Sequence, residues 1–335
     1  MRHFRSTDKR LKSLSDWPSM LLTFTVCLLC WVLCYVCSIG FPPEESPETM
    51  PLWALAGRLL NCRLGACLAG LFVTALAAYV MQRISDMEML IRERTRLPFL
   101  LFLLLVSTNA GLLPLKEVSV VLICLVFAIY ELFHSYQSPE LTGKFFNIGI
   151  LVGVAGLLMP QAVWFIPLFW TGMYRFRTLN IRNFMASLIG MLILYWFLLA
   201  WCVWKHDYSM FSMLYDKFAD FKFPSAELFR FYQAGSVVLL PVLAAAFFYV
   251  GIDAFNNSVR VRQMLAFLSN MAVWSFGLIL LYGKDPDPFL AVIYLPSSIL
   301  IAHLLENSRR IFRFVLYYFM LLTWLASFLL RLWSF

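Results

Sequence analysis

The stretch SMLLTFTVCLLCWVLCYVCSIGF, residues Ser19–Phe41, contains no charged side chain. A helix needs about 20 predominantly apolar residues to cross the hydrocarbon core of a bilayer, because each residue adds about 1.5 Å. This stretch is therefore long enough for one crossing. It is about twice as long as the apolar region of a secretory signal peptide, and Phe41–Glu44 lacks the small residues of a cleavage site. We interpret it as a retained membrane anchor.

Ten further apolar stretches follow, so the sequence predicts an all-α fold: a polytopic transmembrane helical bundle of about eleven spans. In chain order the predicted spans are Ser19–Phe41, Leu64–Met81, Leu97–Leu113, Val118–His134, Phe145–Met159, Ala162–Tyr174, Phe184–Trp204, Gly235–Ala254, Leu265–Tyr282, Pro288–Leu305 and Ile311–Trp333. The fifth and sixth are short, and only Pro160 and Gln161 separate them. They are either two tight spans or a re-entrant pair, which would lower the count to nine.

The composition agrees with a membrane location. Hydrophobic residues make up 61% of the 335-residue chain and charged residues only 14%, against about 25% charged residues in a typical soluble domain. A soluble protein of this length needs a polar surface that this composition cannot supply. Lipid is therefore expected to cover much of the outside.

The basic residues predict how the chain is oriented. When the N-terminus is placed in the cytoplasm, roughly two thirds of the 27 lysines and arginines fall in the inside segments. This bias and the uneven number of spans predict a C-terminus on the outer side. Residues 1–18 are then a basic cytoplasmic tail, and residues 19–335 form one integral membrane domain with long outer loops at 42–63 and 205–233. The net charge of +8 thus needs no nucleic-acid partner.

The segment Lys144–Ala200 resembles a family of uncharacterised multi-spanning bacterial inner-membrane proteins that is known only as a domain of unknown function. The resemblance rests on KFFNIG at Lys144–Gly149, the apolar run to Pro160, FIP at Phe165–Pro167, YRFRTLNIR at Tyr174–Arg182, and the helix Phe184–Trp201 with Gly190 inside it. The family often has a proline shortly after the counterpart of Gly190, and Met191–Tyr195 has none. Because the family has no settled activity, the resemblance implies a bacterial inner-membrane location and a fold style but no chemistry.

A looser resemblance is to multi-spanning lipid-linked sugar transferases, in which an acidic residue of the first outer loop is catalytic. That loop holds Glu44, Glu45 and Glu48 here, and Arg58 and Arg63 follow. A transferase with a polyprenyl-phosphate donor needs a carboxylate base near the acceptor hydroxyl and cations on the lipid phosphate. Glu44 and Glu45 are therefore candidate catalytic residues, and Arg58 and Arg63 are candidate substrate-binding residues. The simpler interpretation is a solvated acidic loop with arginines that snorkel from an interfacial helix.

The second outer loop, residues 205–233, is rich in aromatic side chains interleaved with charges. Phe211, Tyr215 and Phe218 follow helical spacing, which predicts an amphipathic helix on the outer leaflet. Aromatic faces such as those of Tyr208 and Tyr215 can also stack on a sugar or cover a lipid chain. The two interpretations are compatible, because a surface helix can roof a cavity.

An inner turn offers a further anion site. Arg175, Arg177 and Arg182 surround Asn180 and could hold a lipid phosphate or another anionic substrate. The positive-inside rule alone also predicts such a turn.

Two other patterns have structural interpretations. Cys27, Cys30, Cys34 and Cys37 share one face of the first span, but they cover about 15 Å of helix and cannot bind one metal ion together. We expect this face to be a packing seam. In the turn Gly283–Pro288, Asp287 is expected to cap the helix that follows rather than to bind a divalent ion.

The function stays open among three classes. They are an envelope enzyme that acts on lipid-linked glycan at the outer face, a transporter or flippase for a lipid or hydrophobic solute, and a non-catalytic subunit of a membrane complex. The spans hold no clearly central ionisable residue, which counts against ion coupling. Phosphate-binding loops, nucleophile elbows and paired metal-ligand histidines are absent from the sequence, so no cofactor or metal is expected. The expected ligands are membrane lipid and a polyprenyl-phosphate-linked sugar.

Overall fold

The computed structural model describes residues 17–37, 53, 62–91, 95–138, 140–221, 226–253, 257–283 and 286–334. These residues form α-helices and short 3-10 segments, and no β-strand occurs among them. The predicted all-α class is therefore confirmed.

Twelve α-helices lie in this part of the chain, numbered here in order. They are α1 (Trp17–Cys37), α2 (Arg63–Met87), α3 (Leu97–Ser107), α4 (Glu117–His134), α5 (Thr142–Leu158), α6 (Phe165–Arg175), α7 (Ile181–Lys205), α8 (Ser209–Ala219), α9 (Ala226–Asp253), α10 (Val259–Leu281), α11 (Asp287–Asn307) and α12 (Arg310–Ser334). Two 3-10 segments, Ala110–Leu112 and Pro160–Trp164, follow α3 and precede α6.

By length and composition, seven of the described helices can cross a membrane: α1, α2, α4, α7, α10, α11 and α12. They indicate a multi-pass membrane protein. Each of the other four predicted spans also overlaps a helix, but α3, α5 and α6 and the apolar part of α9 are shorter than the seven. The total of eleven spans stays a prediction.

Contacts between residues at or near the ends of helices define two ends of the helical bundle. At the first end, which we call the Glu88 end, Arg260 forms an ion pair of 2.5 Å with Glu88 and lies over the ring of Tyr136. At the second, which we call the Asp287 end, Arg331 forms an ion pair of 3.4 Å with Asp287. Successive long helices run in opposite directions between these ends.

Helices α5 and α6 both run between the two ends. Helix α5 covers about 25 Å at 1.5 Å per residue, and Gln161, just after it, bonds to Lys217 at the Asp287 end. Helix α6 returns to place Phe176 against Tyr136 at the Glu88 end. The two helices are therefore antiparallel, and the turn between them lies at the Asp287 end.

The seam between α5 and α7 is a backbone-to-backbone contact. A Cβ atom at Gly149 would collide with the carbonyl of Ser187, and one at Gly190 would collide with the carbonyl of Phe146. Small residues at such positions let two helices approach closely where lipid supplies no hydrophobic driving force. The glycines of α5 thus serve helix packing, and α5 is continuous through them.

Helix α11 occupies the centre of the bundle. All residues from Ala291 to Leu305 are buried, and α11 packs against α3, α9 and α10. Helix α3 is short and buried along almost its whole length. A short helix is tolerated at membrane depth when protein rather than lipid surrounds it. Its predicted extension to Leu113 is wrong, because the helix ends at Ser107 and Asn109 accepts a hydrogen bond from the amide of Gly111 to begin the 3-10 segment.

The cysteine face of α1 is largely inside the protein. Cys27, Cys30 and Cys34 are buried, whereas Cys37 is exposed. Burial of the first three agrees with a packing seam. Among the residues placed by the structure, His, Cys, Asp and Glu nowhere form a group of three or more that could hold a metal ion.

Candidate functional site

A cavity of about 270 Å³ opens at the Asp287 end. It lies where the start of α4, the turn between α5 and α6, helix α8, the end of α10 and the start of α11 meet. Its lining residues are Glu117, Leu158, Met159, Pro160, Gln161, Lys217, Asp220, Tyr282, Pro288 and Phe289. The volume is just below the usual range for small-molecule sites, so it suits a compact head group better than a drug-sized ligand.

Helix α8 covers one side of this cavity. It corresponds to the amphipathic helix that the aromatic spacing predicts. Asp207 stabilises its start by accepting a hydrogen bond of 2.9 Å from the amide of Ser209, and this bond lowers the pKa of the Asp207 carboxyl. Because the ionised carboxylate is the better acceptor, the contact is available at neutral pH.

Two long-range hydrogen-bonding groups hold α8 on the bundle. The side-chain amide of Gln161 donates to the carbonyl of Lys217 over 3.1 Å. The hydroxyl of Tyr282 donates to the carbonyl of Phe218 over 2.7 Å and accepts from the indole N–H of Trp164 over 2.9 Å. Lys217 and Phe218 are thereby fixed by main-chain contacts at the edge of the cavity.

Aromatic rings reinforce the same contact. The rings of Trp164 and Phe218 are stacked with centroids 5.4 Å apart and planes 8° apart. The ring of Tyr282 stacks on Phe289 at 5.6 Å and meets Phe221 at 5.1 Å. One wall of the cavity, formed by Tyr282 and Phe289, is consequently aromatic and apolar.

Three charged side chains make another part of the cavity lining polar. Glu117 lies in the first turn of α4, and Lys217 and Asp220 lie at the end of α8. Carboxylates accept hydrogen bonds from hydroxyl groups and can act as general bases, and an ammonium group attracts an anion. The cavity therefore offers polar and charged contacts beside an aromatic wall.

A second polar cluster adjoins the cavity through the start of α11. Asp287 accepts hydrogen bonds of 3.4 Å from both terminal nitrogens of Arg331 and from the amide of Asn109. Asn109 also donates to the hydroxyl of Tyr294 over 3.3 Å and accepts from Arg331. Gly111 lies so close to the Asp287 carboxylate that a Cβ would collide with it. The expected capping role of Asp287 is wrong, because α11 begins at Asp287 itself and its carboxylate pairs with Arg331.

None of the site residues predicted from the sequence that the structure describes lines this cavity. Glu44, Glu45 and Arg58 lie outside the described residues. Arg63 begins α2 and does not line the cavity. Tyr208 and Tyr215 lie on or beside α8, but 58% and 67% of their surfaces are exposed and neither lines the cavity.

The three arginines of the predicted inner anion site lie at the Glu88 end, far from the cavity. Arg175, Arg177 and Arg182 are exposed, and Arg177 has a left-handed backbone with φ of 58°. Asn180 is engaged as the cap of α7, where it accepts a hydrogen bond of 2.8 Å from the amide of Asn183. The structure therefore does not bring these arginines together with the other predicted site residues.

Most of the cavity is not predicted from the sequence, since Glu117, Asp220 and Gln161 are not among the predicted site residues. A carboxylate in the first turn of an apolar helix, as at Glu117, is the one local signal for this site. The remaining contacts depend on residues that are distant in sequence.

Comparison with protein-family models, curated proteins and solved structures finds no match to this chain. The function therefore has to be argued from the site.

Proposed function

We propose that this chain is a multi-pass protein of the bacterial inner membrane that binds the head group of a lipid-linked sugar in the cavity at the Asp287 end and takes part in its transfer. The observation that carries the proposal is the cavity itself, with carboxylates and an ammonium group beside an aromatic wall. Glu117 and Asp220 take the catalytic place that the sequence suggested for Glu44 and Glu45.

The orientation follows from the distribution of basic residues. With eleven spans and a cytoplasmic N-terminus, the arginine-rich Glu88 end faces the cytoplasm and the Asp287 end faces outward. The exposed aromatic side chains of Tyr208, Phe211 and Tyr215 then lie at the level of the outer head groups. Aromatic residues are enriched at that level because their rings are amphipathic.

A sugar fits the chemistry of the cavity. Its hydroxyl groups can donate to Glu117 and Asp220. Its less polar ring face can lie against Tyr282 and Phe289, which form the aromatic wall. A lipid tail attached to the head group can remain in the bilayer, since the cavity lies at the ends of apolar helices.

The same groups provide the parts of a glycosyl transfer. Glu117 or Asp220 accepts the proton of the acceptor hydroxyl as its oxygen forms a bond to the anomeric carbon. The bond from that carbon to the lipid phosphate breaks, and the phosphate leaves with the bonding electrons. Lys217 stabilises the negative charge that develops on the leaving phosphate.

Transport through the protein has less support. The described part of α11 fills the centre of the bundle, and its Ser297 and Ser298 hydroxyls donate to carbonyls of their own helix over 2.6 and 2.8 Å. Glu306, one of the few ionisable residues of the spans, pairs with Arg313 near the Glu88 end over 3.3 Å. Ion-coupled transporters usually place such groups near the bilayer centre. These features favour chemistry at one face over passage across the membrane.

The test is binding of a polyprenyl-phosphate-linked hexose to the protein in nanodiscs, measured by native mass spectrometry. Replacing Asp220→Asn removes a charged acceptor and should weaken binding by about 10-fold, since a hydrogen bond to a charged group contributes roughly 1.5 kcal/mol or more. The matched control is Asp216→Asn, which changes an exposed carboxylate one turn earlier on α8. Glu117→Gln should lower transfer of the hexose to an acceptor. Equal binding by both α8 variants, together with full transfer by Glu117→Gln, would rule out the proposal.

A further inference from the structure

Arg63, the first residue of α2, is held in an unusual environment. Its guanidinium group lies over the ring of Tyr35 in α1, 4.7 Å from the ring centroid. Its Nε and Nη2 atoms are buried and have no hydrogen-bond partner in the part of the chain that the structure describes. A buried donor without an acceptor is costly, and more so when it is charged. The stacked ring holds the guanidinium in place without satisfying these N–H groups.

A second cation, Lys116, lies at the same end of the bundle, just before α4. Arg63 and Lys116 both lie within electrostatic range of the thiol of Cys34. Gly70 of α2 leaves room for the ring of Trp31 and for the backbone at Leu115, the residue before Lys116. The Lys116 ammonium donates one hydrogen bond, of 2.6 Å, to the carbonyl of Gly111. Two of its three N–H donors remain for another acceptor.

The neighbouring carboxylates do not neutralise this pair. Asp287 is bonded to Arg331, and Glu117 and Asp220 line the cavity. Within the described ranges, no salt bridge joins Arg63 or Lys116 to an acidic residue. Among the described residues, Arg63 and Lys116 are thus two cations at the Asp287 end that no acidic side chain neutralises.

We propose that Arg63, Lys116 and the ring of Tyr35 bind the phosphate group of a membrane lipid. A guanidinium fork matches the geometry of phosphate oxygens, and lysine adds a second positive charge. The phosphate accepts hydrogen bonds from the unsatisfied nitrogens of Arg63. The site uses no residue that lines the cavity, so it goes beyond the proposed function and does not depend on it.

The surroundings favour a lipid over a free phosphate ion. Next to Tyr35 and Arg63, α1 exposes Val36 and α2 exposes Leu64 and Leu68. About half or more of the surface of each of these side chains is exposed. A hydrocarbon chain attached to the phosphate can lie along these side chains, while the phosphate stays at the end of the helices. A soluble ion would leave this apolar surface unused.

The probe is phosphatidic acid in phosphatidylcholine nanodiscs, and native mass spectrometry of the released protein counts the bound lipid. The wild type should retain phosphatidic acid in preference to phosphatidylcholine. Arg63→Gln should reduce this retention about 10-fold, because a charge-assisted hydrogen bond is lost. Lys116→Gln should also reduce the retention of phosphatidic acid. It provides the test if Arg63→Gln fails to fold. The matched control is Lys205→Gln, which alters an exposed cation over the ring of Trp201 outside the site.

The outcomes separate the possible sources of the anion. Loss of phosphatidic acid in the two site variants but not in Lys205→Gln supports the lipid site. Inorganic phosphate that stabilises the wild type but not Arg63→Gln, without retention of phosphatidic acid, would show a soluble ligand and overturn the lipid assignment. Equal loss in Lys205→Gln would reduce the effect to general surface charge and overturn the site itself. Sugar binding in the cavity should be unchanged in Arg63→Gln, so either proposal can fail alone.

Discussion

The ion pair between Asp287 and Arg331 allows a quantitative test of what closes the Asp287 end of the bundle. Replacing Asp287→Asn keeps the size of the side chain and removes its charge. The guanidinium of Arg331, with 17% of its side chain exposed, would then lack its carboxylate partner at 3.4 Å. It would retain its contact with Asn109. We therefore expect a folded but less stable protein.

The magnitude follows from distance and burial. Two unit charges 3.4 Å apart interact by about 5 kcal/mol at an effective dielectric constant of about 20. Exposed pairs contribute about 0–1 kcal/mol after solvation and entropy are included, whereas breaking a buried pair costs about 3–5 kcal/mol. With 16% and 17% of the two side chains exposed, we expect the free energy of unfolding to fall by about 2–3 kcal/mol.

Unfolding by SDS in mixed micelles gives this free energy. A thiol-reactive fluorescent dye reports the transition, because Cys27, Cys30 and Cys124 are buried in the folded protein. The control is the variant Asp216→Asn, which removes an exposed carboxylate. It should change the free energy of unfolding by less than about 0.5 kcal/mol. The double variant Asp287→Asn with Arg331→Gln should recover part of the loss, because the stranded charge is gone.

Two results would refute this reasoning. If Asp287→Asn is as stable as the wild type, solvent already screens the pair and it does not close this end. If the double variant is destabilised by the sum of the two single changes, the residues are not energetically coupled.

Two further predictions concern helix packing. Gly149→Leu should destabilise the protein by about 3 kcal/mol or more, because the side chain meets the backbone of Ser187, which cannot yield as a side chain would; the same SDS titration measures this, and Gly143→Leu, at a glycine with open space, is the control. Tyr282→Phe removes the donor to the carbonyl of Phe218 and should speed hydrogen exchange in residues 209–219, measured by mass spectrometry, with unchanged exchange arguing that α8 is held by other contacts.

Hydropathy predicts the helices of this chain well because lipid requires every exposed span to satisfy its own backbone. It predicts less well where protein replaces lipid. The predicted third span continues to Leu113, yet α3 ends at Ser107. The cause is local: Asn109 bonds to the amide of Gly111 and to Tyr294 of α11. An apolar run alone does not reveal such a stop.

The fifth and sixth predicted spans also show that an apolar run alone does not define how a helix is placed. Their sequence permits a re-entrant pair or two tight helices, since each is shorter than the roughly 17 residues of the shortest usual crossing. The packing of these helices depends on tertiary contacts, among them the seam of Gly149 and Gly190 between α5 and α7. Such a seam requires two glycines that are 41 residues apart in sequence to come together. In the sequence, each glycine alone indicates only a small residue in an apolar helix.

The candidate site was less predictable than the fold. Aromatic spacing correctly predicted a helix within residues 205–233, but it pointed to Tyr208 and Tyr215 as site residues, and both are exposed. The side of α8 that meets the cavity is set by contacts to Gln161 and Tyr282, 56 and 64 residues away from their partners in sequence. Local periodicity can define an amphipathic helix but not what its inner face covers.

The position of the cavity follows from where helices stop. Pro160 ends the run of α5 into a 3-10 segment, and Pro288 stands in the first turn of α11. Proline lacks an N–H donor and is therefore favoured at the first positions of a helix, where that donor would have no partner within the helix. Both prolines line the cavity, at one end of a bundle whose centre is filled by α11. The ends of α5, α6 and α10 leave a space that these helices do not fill. Helix α8 covers this space. A cavity at this end is thus a consequence of the packing, and the charged side chains of Glu117, Lys217 and Asp220 make part of its lining polar.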